Sequence, residues 1–307
     1  MAPTYAPITP GERDEAHALW TSVFGAPLGY FQRYFDVDPW YREGDSFGAR
    51  VEGRLVSAVH LCRRPVEWKG RTLWCGAIAN VATYPEYRRQ GLSRELLRLT
   101  IARMEETGMD FSMLFTGTHA HYAPLGWEQV HTPVATVTLS VEAAQPTTVP
   151  EPARVDEAHL RLYSSTPRPL QLSRPEPYFN GWTGWSWTHW NAQGLLNDSH
   201  GYAVLRIPEE AEHPARLMEW AAADAESERE LLLEAAHIAR ARGKERLQLE
   251  ALPAHGSAAA LRELGTVQVD TTGGMMLCNG TLPDADYWEV VRLYASGEAV
   301  WWAADGF

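Results

Sequence analysis

The chain has 307 residues, a formal net charge of −12 and 45% hydrophobic residues, enough for an ordinary core and for two domains of typical size. The excess of carboxylates argues against a nucleic-acid groove; it mildly favours cationic partners, although its usual effect is to keep a protein soluble. Cys62, Cys75 and Cys278 are too scattered for a disulfide framework or a zinc knuckle, the amino terminus lacks a basic segment followed by an apolar core, and no apolar run approaches the roughly 20 residues that cross a bilayer, so a cytoplasmic protein without metal or membrane contact is expected.

In chain order, GERDEAHALWTSVFG (11–25) carries a helical pattern, and a second lies around YFQRYFDVDPWY (30–41). The strands SFGARVEG and RLVSAVHL follow, joined by a turn at Glu52 and Gly53. TLWCGAIANVAT (72–83) is a further strand, stopped at Pro85, which has no amide to extend a ladder. From Ser93 to Thr107, Leu96, Leu97, Thr100, Ile101 and Met104 recur at helical spacing, and Gly108 can close the helix in a left-handed cap. FSMLF (111–115) is a strand. A stretch rich in Pro, Thr and Glu, EAAQPTTVPEPARVDEA (142–158), reads as a linker.

Beyond it the order of elements repeats. The strand GYAVLRI is followed by the strand-like ARLMEWAAA, a long helix through SERELLLEAAHIARARG, the strand RLQLEAL, the short helix SAAALRELG and a strand at GGMMLCN. The expected organisation is mixed α/β in two units, 1–142 and 161–282, with a linker at 143–160 and a tail at 283–307.

VATYPEYRRQGLS (81–93) carries the clearest chemistry. A strand that feeds a glycine turn and then a helix aims several unpaired amides at one point, with the positive end of the helix dipole behind them. Gly91 permits close approach of a ligand, Ser93 is small and can cap, and Arg88 and Arg89 add charge suited to a pyrophosphate. The stretch resembles the acetyl-CoA motif of the GCN5-related N-acetyltransferases, V-x-x-x-P-x-x-(Q/R)-x-x-G-x-(G/A), and every spacing matches. Arg88 holds the Q/R place and Gly91 the first glycine place, while Ser93 departs from the usual Gly or Ala. The resemblance implies acetyl-CoA as co-substrate. The backbone of Val81, Ala82 and Thr83 would pair with the pantetheine arm, and the amides of Arg89, Gln90, Gly91, Leu92, Ser93 and Arg94 would take the pyrophosphate, with Arg88 at the rim.

Downstream, HAHYAPLGWEQV (119–130) is similar to the family's Y-x-x-x-G-(F/W) signature. It implies that Tyr122 lies near the thioester sulfur and protonates the departing thiolate; the alternative is an amphipathic tyrosine plugging a groove. In the second half AESERE places Glu226, Glu228 and Glu230 near a helix entrance, where carboxylates complement the dipole and repel a pyrophosphate. One active and one degenerate acetyltransferase-like unit in tandem resemble the enhanced-intracellular-survival (Eis-like) acetyltransferases. In that family the chain's terminal carboxylate is proposed to deprotonate the amine, which here points to Phe307. Asn80 cannot be the base; His119, His121, Phe307, a water relay and an amine arriving neutral all remain open.

Trp182, Trp185, Trp187 and Trp190 cluster with Tyr178 and Phe179, and Trp301 and Trp302 lie near the end of the chain. They read either as packing between domains or as an aromatic cleft for a cationic amine. The expectation is acetyl transfer from acetyl-CoA to a primary amine of a small molecule or peptide, probed against two other readings, a non-catalytic acyl-CoA sensor and a scaffold. A homo-oligomer is also open.

Overall fold

A computed structural model describes residues 2–140, 150–197, 200–255 and 258–307; the 142–149 part of the expected linker lies outside them. The described chain folds as two compact units that interleave in sequence. The first comprises Met1–Val130, Gly274–Val291 and Phe307, the second His131–Gly273 and Arg292–Gly306.

In the first unit, β1 (Thr4–Pro7), β2 (Ser46–Val51), β3 (Arg54–Trp68), β4 (Arg71–Thr83) and β5 (Phe111–Phe115) lie in that order in one sheet, and Met275–Asn279 pair with the far side of β5. Neighbours are antiparallel except β4 and β5, whose parallel pairing requires a crossover, supplied by α3 (Leu92–Glu106). Two helices precede the crossover, α1 (Arg13–Phe24) and α2 (Leu28–Asp36). Val59 and Leu61 of β3 and Ile78 of β4 pack with Leu92, Leu96, Leu97 and Met104 of α3, each full burial contributing about 1.5–3 kcal/mol. Gly76 lies under this contact: a Cβ there would come 2.4 Å from the Met104 sulfur, so that side chain would have to move. The other face receives α1 and α2, where His60 sits edge-on to Trp20, Tyr34 and Phe35. The period of two along β3 thus sends His60 and Leu61 to opposite layers. The short α4 (His119–Tyr122) and β6 (Glu128–Leu139) complete this run.

The second unit holds β7 (Glu151–Pro152), α5 (Glu157–Ser165), β8 (Gln171–Leu172), α6 (Glu176–Tyr178), α7 (Gly184–His189), β9 (Gln193–Asn197), β10 (Gly201–Arg206), β11 (Ala215–Ala222), α8 (Ala225–Ala241) and β12 (Arg246–Leu249). Its sheet runs from the later part of β6 through β12, β11, β10 and β9 to β7, with β11 and β12 parallel and the other described pairs antiparallel. Then come α9 (Ala258–Leu264), β13 (Gly265–Asn279) and α10 (Asp284–Ser296). The stretch expected as a tail therefore carries a 13-residue helix and is shared between the units.

The sequences β2-β3-β4-α3-β5 and β9-β10-β11-α8-β12 share one plan, two antiparallel steps and then a helical crossover to a parallel strand. Both units have a mixed α/β fold. The aromatic cluster packs inside the second unit: Trp182 and Trp187 are fully buried, Trp182 stacking on Tyr178 at 5.7 Å and Trp187 meeting Phe179 edge-on at 5.8 Å. Large rings with one polar edge suit such a core, and these two line no open cleft. Beside them Arg174, fully buried, donates to both carboxylate oxygens of Glu219 at 2.6 and 2.9 Å and of Asp305 at 2.9 and 2.8 Å. Among the described residues no helix is long and apolar enough to cross a membrane, and no group of three His, Cys, Asp or Glu side chains is placed to hold a metal ion.

Candidate active site

The two parallel strands of the first unit part company. β4 and β5 pair at Cys75 with Phe111, Gly76 with Ser112 and Ala77 with Met113; beyond these β5 ends at Phe115, while β4 continues beside β3 to Thr83. Asn80, with φ +52°, is the irregular residue of β4, and the register against β3 shifts between Ala58 and His60. A bulge of this kind bends its strand and strengthens the local twist. The parting leaves the β5-facing edge of β4 open, the kind of edge that accepts an extended ligand backbone.

The chain then turns through Pro85–Tyr87, and both Arg89 (φ +63°) and Gly91 (φ +81°) are left-handed. At Gly91 that backbone, and not crowding, calls for glycine, since a Cβ there would meet nothing within 4 Å. Gly91 is the N-cap of α3, and no side chain caps the helix. The first amides of α3 consequently point outward with the dipole behind them, a ready anion site. Arg88 Nε donates to the Thr83 carbonyl at 3.1 Å and so ties the turn to the strand end.

A cavity of about 420 Å³ opens at this junction. Of the residues expected from sequence, Val81, Thr83, Arg88, Arg89, Gly91, Leu92, Ser93 and Tyr122 line it. Ala82 is buried in the strand, and neither Gln90 nor Arg94 is among the lining residues. Phe307 lies elsewhere in the first unit, its ring 5.6 Å from that of Phe115 at the end of β5. Val23 of α1, Tyr87, Thr118 and His121 complete the wall. No motif marks Val23, whose place depends on how α1 packs.

Tyr122 is held by its own signature. Trp127 is buried and its indole donates to Ser112 Oγ at 3.2 Å, and Gly126 turns the chain with φ +101°. Tyr122 lies edge-on to Trp127 and to His121, at 6.3 and 4.9 Å. Burial pushes its phenol up to about 12, so it keeps its proton at neutral pH. Burial and then the Arg94 charge lower the His121 imidazole below its ordinary value, leaving it neutral under the same conditions. His121 Nε2 is 3.3 Å from Ser93 Oγ, so the hydroxyl expected as a cap faces the histidine instead. The described lining residues include no carboxylate.

The corresponding entrance in the second unit is closed by its own side chains. Asp224 caps α8 by accepting from the Ser227 amide at 2.8 Å. Glu228, buried at the same entrance, accepts from the amides of Ala254 and His255 at 2.7 and 2.9 Å and from the Trp220 indole at 2.9 Å.

Residues 4–130 match the family model described as an acetyltransferase (GNAT) domain. The fold is similar to that of a GCN5-related N-acetyltransferase from Anabaena variabilis, at 16% identity and TM-score 0.67, covering 90% of this chain and 72% of that one. It is similar to a probable N-acyltransferase from Enterococcus faecalis at 16% identity and TM-score 0.69, with the same coverage. Eis1 from Mycobacterium abscessus is a further structural relative, at 15% identity and TM-score 0.63, covering 91% of this chain and 73% of that one. No curated protein sequence matches the chain.

Proposed function

We propose, from the match of residues 4–130 to the acetyltransferase (GNAT) domain model, that the chain transfers an acetyl group from acetyl-CoA to a primary amine, both bound at once in the cavity between β4, α3 and α4. The observation that carries this reading is the meeting, in one cavity, of the open end of β4, the uncapped entrance of α3 with its two arginines, and the buried phenol of Tyr122. Residues of β4 from Val81 to Thr83 offer backbone to the pantetheine arm. The turn from Arg88 to Arg94 offers amides and charge to the pyrophosphate.

In the transfer the amine nitrogen bonds to the thioester carbonyl carbon, the carbon–sulfur bond breaks, and the sulfur takes a proton from the Tyr122 hydroxyl. A phenol held in its protonated form suits that role, since the thiolate is expelled at neutral pH. The nitrogen must shed a proton in turn. Of the lining side chains, the neutral imidazole of His121 is the one able to accept a proton near neutral pH, and we assign it that task, directly or through water. The second unit, with its helix entrance occupied by Glu228, takes no part in holding CoA in this account.

Release of free CoA from acetyl-CoA across a panel of primary amines, spanning polyamines, aminoglycosides, lysine peptides and small metabolites, tests the reading. Amine-dependent thiol release is expected for at least one class. Saturable acetyl-CoA binding without turnover by any amine would instead favour a sensor.

A further inference from the structure

The walls of the cavity at the α3 entrance divide between two substrates; this division rests on the transfer reaction proposed above. The end of β4 and the entrance of α3 go to CoA, which leaves to the amine Val23 of α1 and, from the segment after β5, Thr118 and His121. Val23 is where α1 reaches the site, and the chain on both sides of it is bare of charge. From Ala18 to Gln32 there is no Asp, Glu, Lys or Arg, although these types make up 21% of the chain. The stretch is not buried throughout: Phe24 and Leu28, on either side of the α1–α2 turn, are 49% and 48% exposed. Exposed positions are where charged side chains ordinarily collect, and here they hold apolar ones.

The charges of the cavity are of one sign. Its lining holds Arg88 and Arg89, which the phosphates of CoA match, and no carboxylate. Glu86 and Glu95, the carboxylates flanking that turn in sequence, are paired with Arg54 at 3.8 Å and Arg98 at 2.9 Å. His121 is neutral at neutral pH.

These walls select among amines. A second ammonium on the substrate would leave water for a wall that supplies no anion, which is costly, whereas a methyl group or a ring gains by covering the Val23 side chain. We propose that the acceptor is a monoamine carried on an apolar alkyl or arylalkyl body, and that Val23 sets its preference over diamines, polyamines and aminoglycosides. Val23 is in this account a specificity-determining residue and takes no part in moving protons.

Hexylamine and cadaverine make the test, because they match in length and differ in a terminal methyl against a second ammonium. Release of free CoA by the full chain is followed at fixed pH and saturating acetyl-CoA, with these two amines, phenethylamine and an aminoglycoside as acceptors. kcat/KM for hexylamine should exceed that for cadaverine by about tenfold or more, the worth of one apolar contact in a pocket, and chiefly through KM. Val23→Asp gives the second ammonium a partner and should shrink that ratio by about tenfold; a merely structural role for Val23 would lower both amines alike and leave the ratio as it was. Should Val23→Asp not fold, the wild-type ratio still decides. Cadaverine or the aminoglycoside turned over as well as hexylamine overturns the proposal and leaves the transfer reaction standing, and so does an unaltered ratio in a folded Val23→Asp. A higher kcat/KM for hexanoyl-CoA than for acetyl-CoA, whatever the amine, assigns the apolar wall to the acyl chain and overturns it as well. Release of CoA with no amine at all would overturn the transfer reaction and this proposal together.

Discussion

The entrances of α3 and α8 follow the same plan, each reached from an antiparallel strand and leading to a parallel one, and they differ in what meets the first helical amides. At α3 the cap is a left-handed glycine with no side chain to offer, and two arginines stand beside it. At α8 Asp224 caps the helix and Glu228, on its first turns, gathers two amides from the segment after β12. A helix entrance is open to a ligand only where the chain withholds its own acceptors, and the second unit shows the same architecture with those acceptors supplied. Its buried charges serve packing: Arg174 joins Glu219 and Asp305, and Arg168 rests between two indoles.

Four changes sharpen this contrast, from the largest expected effect to the smallest. Tyr122→Phe should lower kcat by about 10²–10⁴-fold, the usual worth of a positioned acid, with acetyl-CoA affinity unchanged; turnover of an identified amine at the wild-type rate removes the phenol from the reaction. Arg174→Met strands two carboxylates in the core of the second unit and should cost about 3–5 kcal/mol in urea unfolding, and a loss under about 1 kcal/mol would mean the pair is relieved by water or protonation.

Acid should act through the first unit. Burial, and then Arg64, hold His60 near 3, far below its ordinary 6.5. The unfolded chain therefore binds the extra proton between those values, so stability is full above pH 6.5 and declines as pH falls toward 3, by up to about 1.4 kcal/mol per pH unit. His60→Gln should flatten that slope, and an unaltered slope places the titration elsewhere. Least of all, Asp224→Ala should lower stability slightly in urea unfolding, through a lost cap, and leave acetyl-CoA binding untouched.

The α3 entrance was legible in the sequence because its chemistry is local. The spacing from Val81 to Ser93 specifies a strand end, a turn and a helix start, and Gly91 marks a backbone that other residues resist. The signature from Tyr122 to Trp127 is equally compact, with its glycine and tryptophan fixing the tyrosine. Pairings across long stretches of chain were not legible. Arg174 meets Glu219 and Asp305 at separations of 45 and 131 residues, and nothing near Arg168 in sequence announces Trp220 or Trp302. Ser93 was expected to cap, and its engagement with His121, 28 residues on, depends on where α4 lands. The last 25 residues read as a tail, although Asp284 and Asp286 open α10 with the acidic first turn that helices favour.

Acetyl-CoA titration by isothermal calorimetry tests the central claim most directly, comparing wild type, Gly91→Val and Asp224→Ala after each is shown to be folded. The account predicts one site per chain in wild type, its loss in Gly91→Val, where the strained backbone spoils the amide cradle, and its full retention in Asp224→Ala. Two sites per chain, or a site that survives Gly91→Val and disappears with Asp224→Ala, would contradict it.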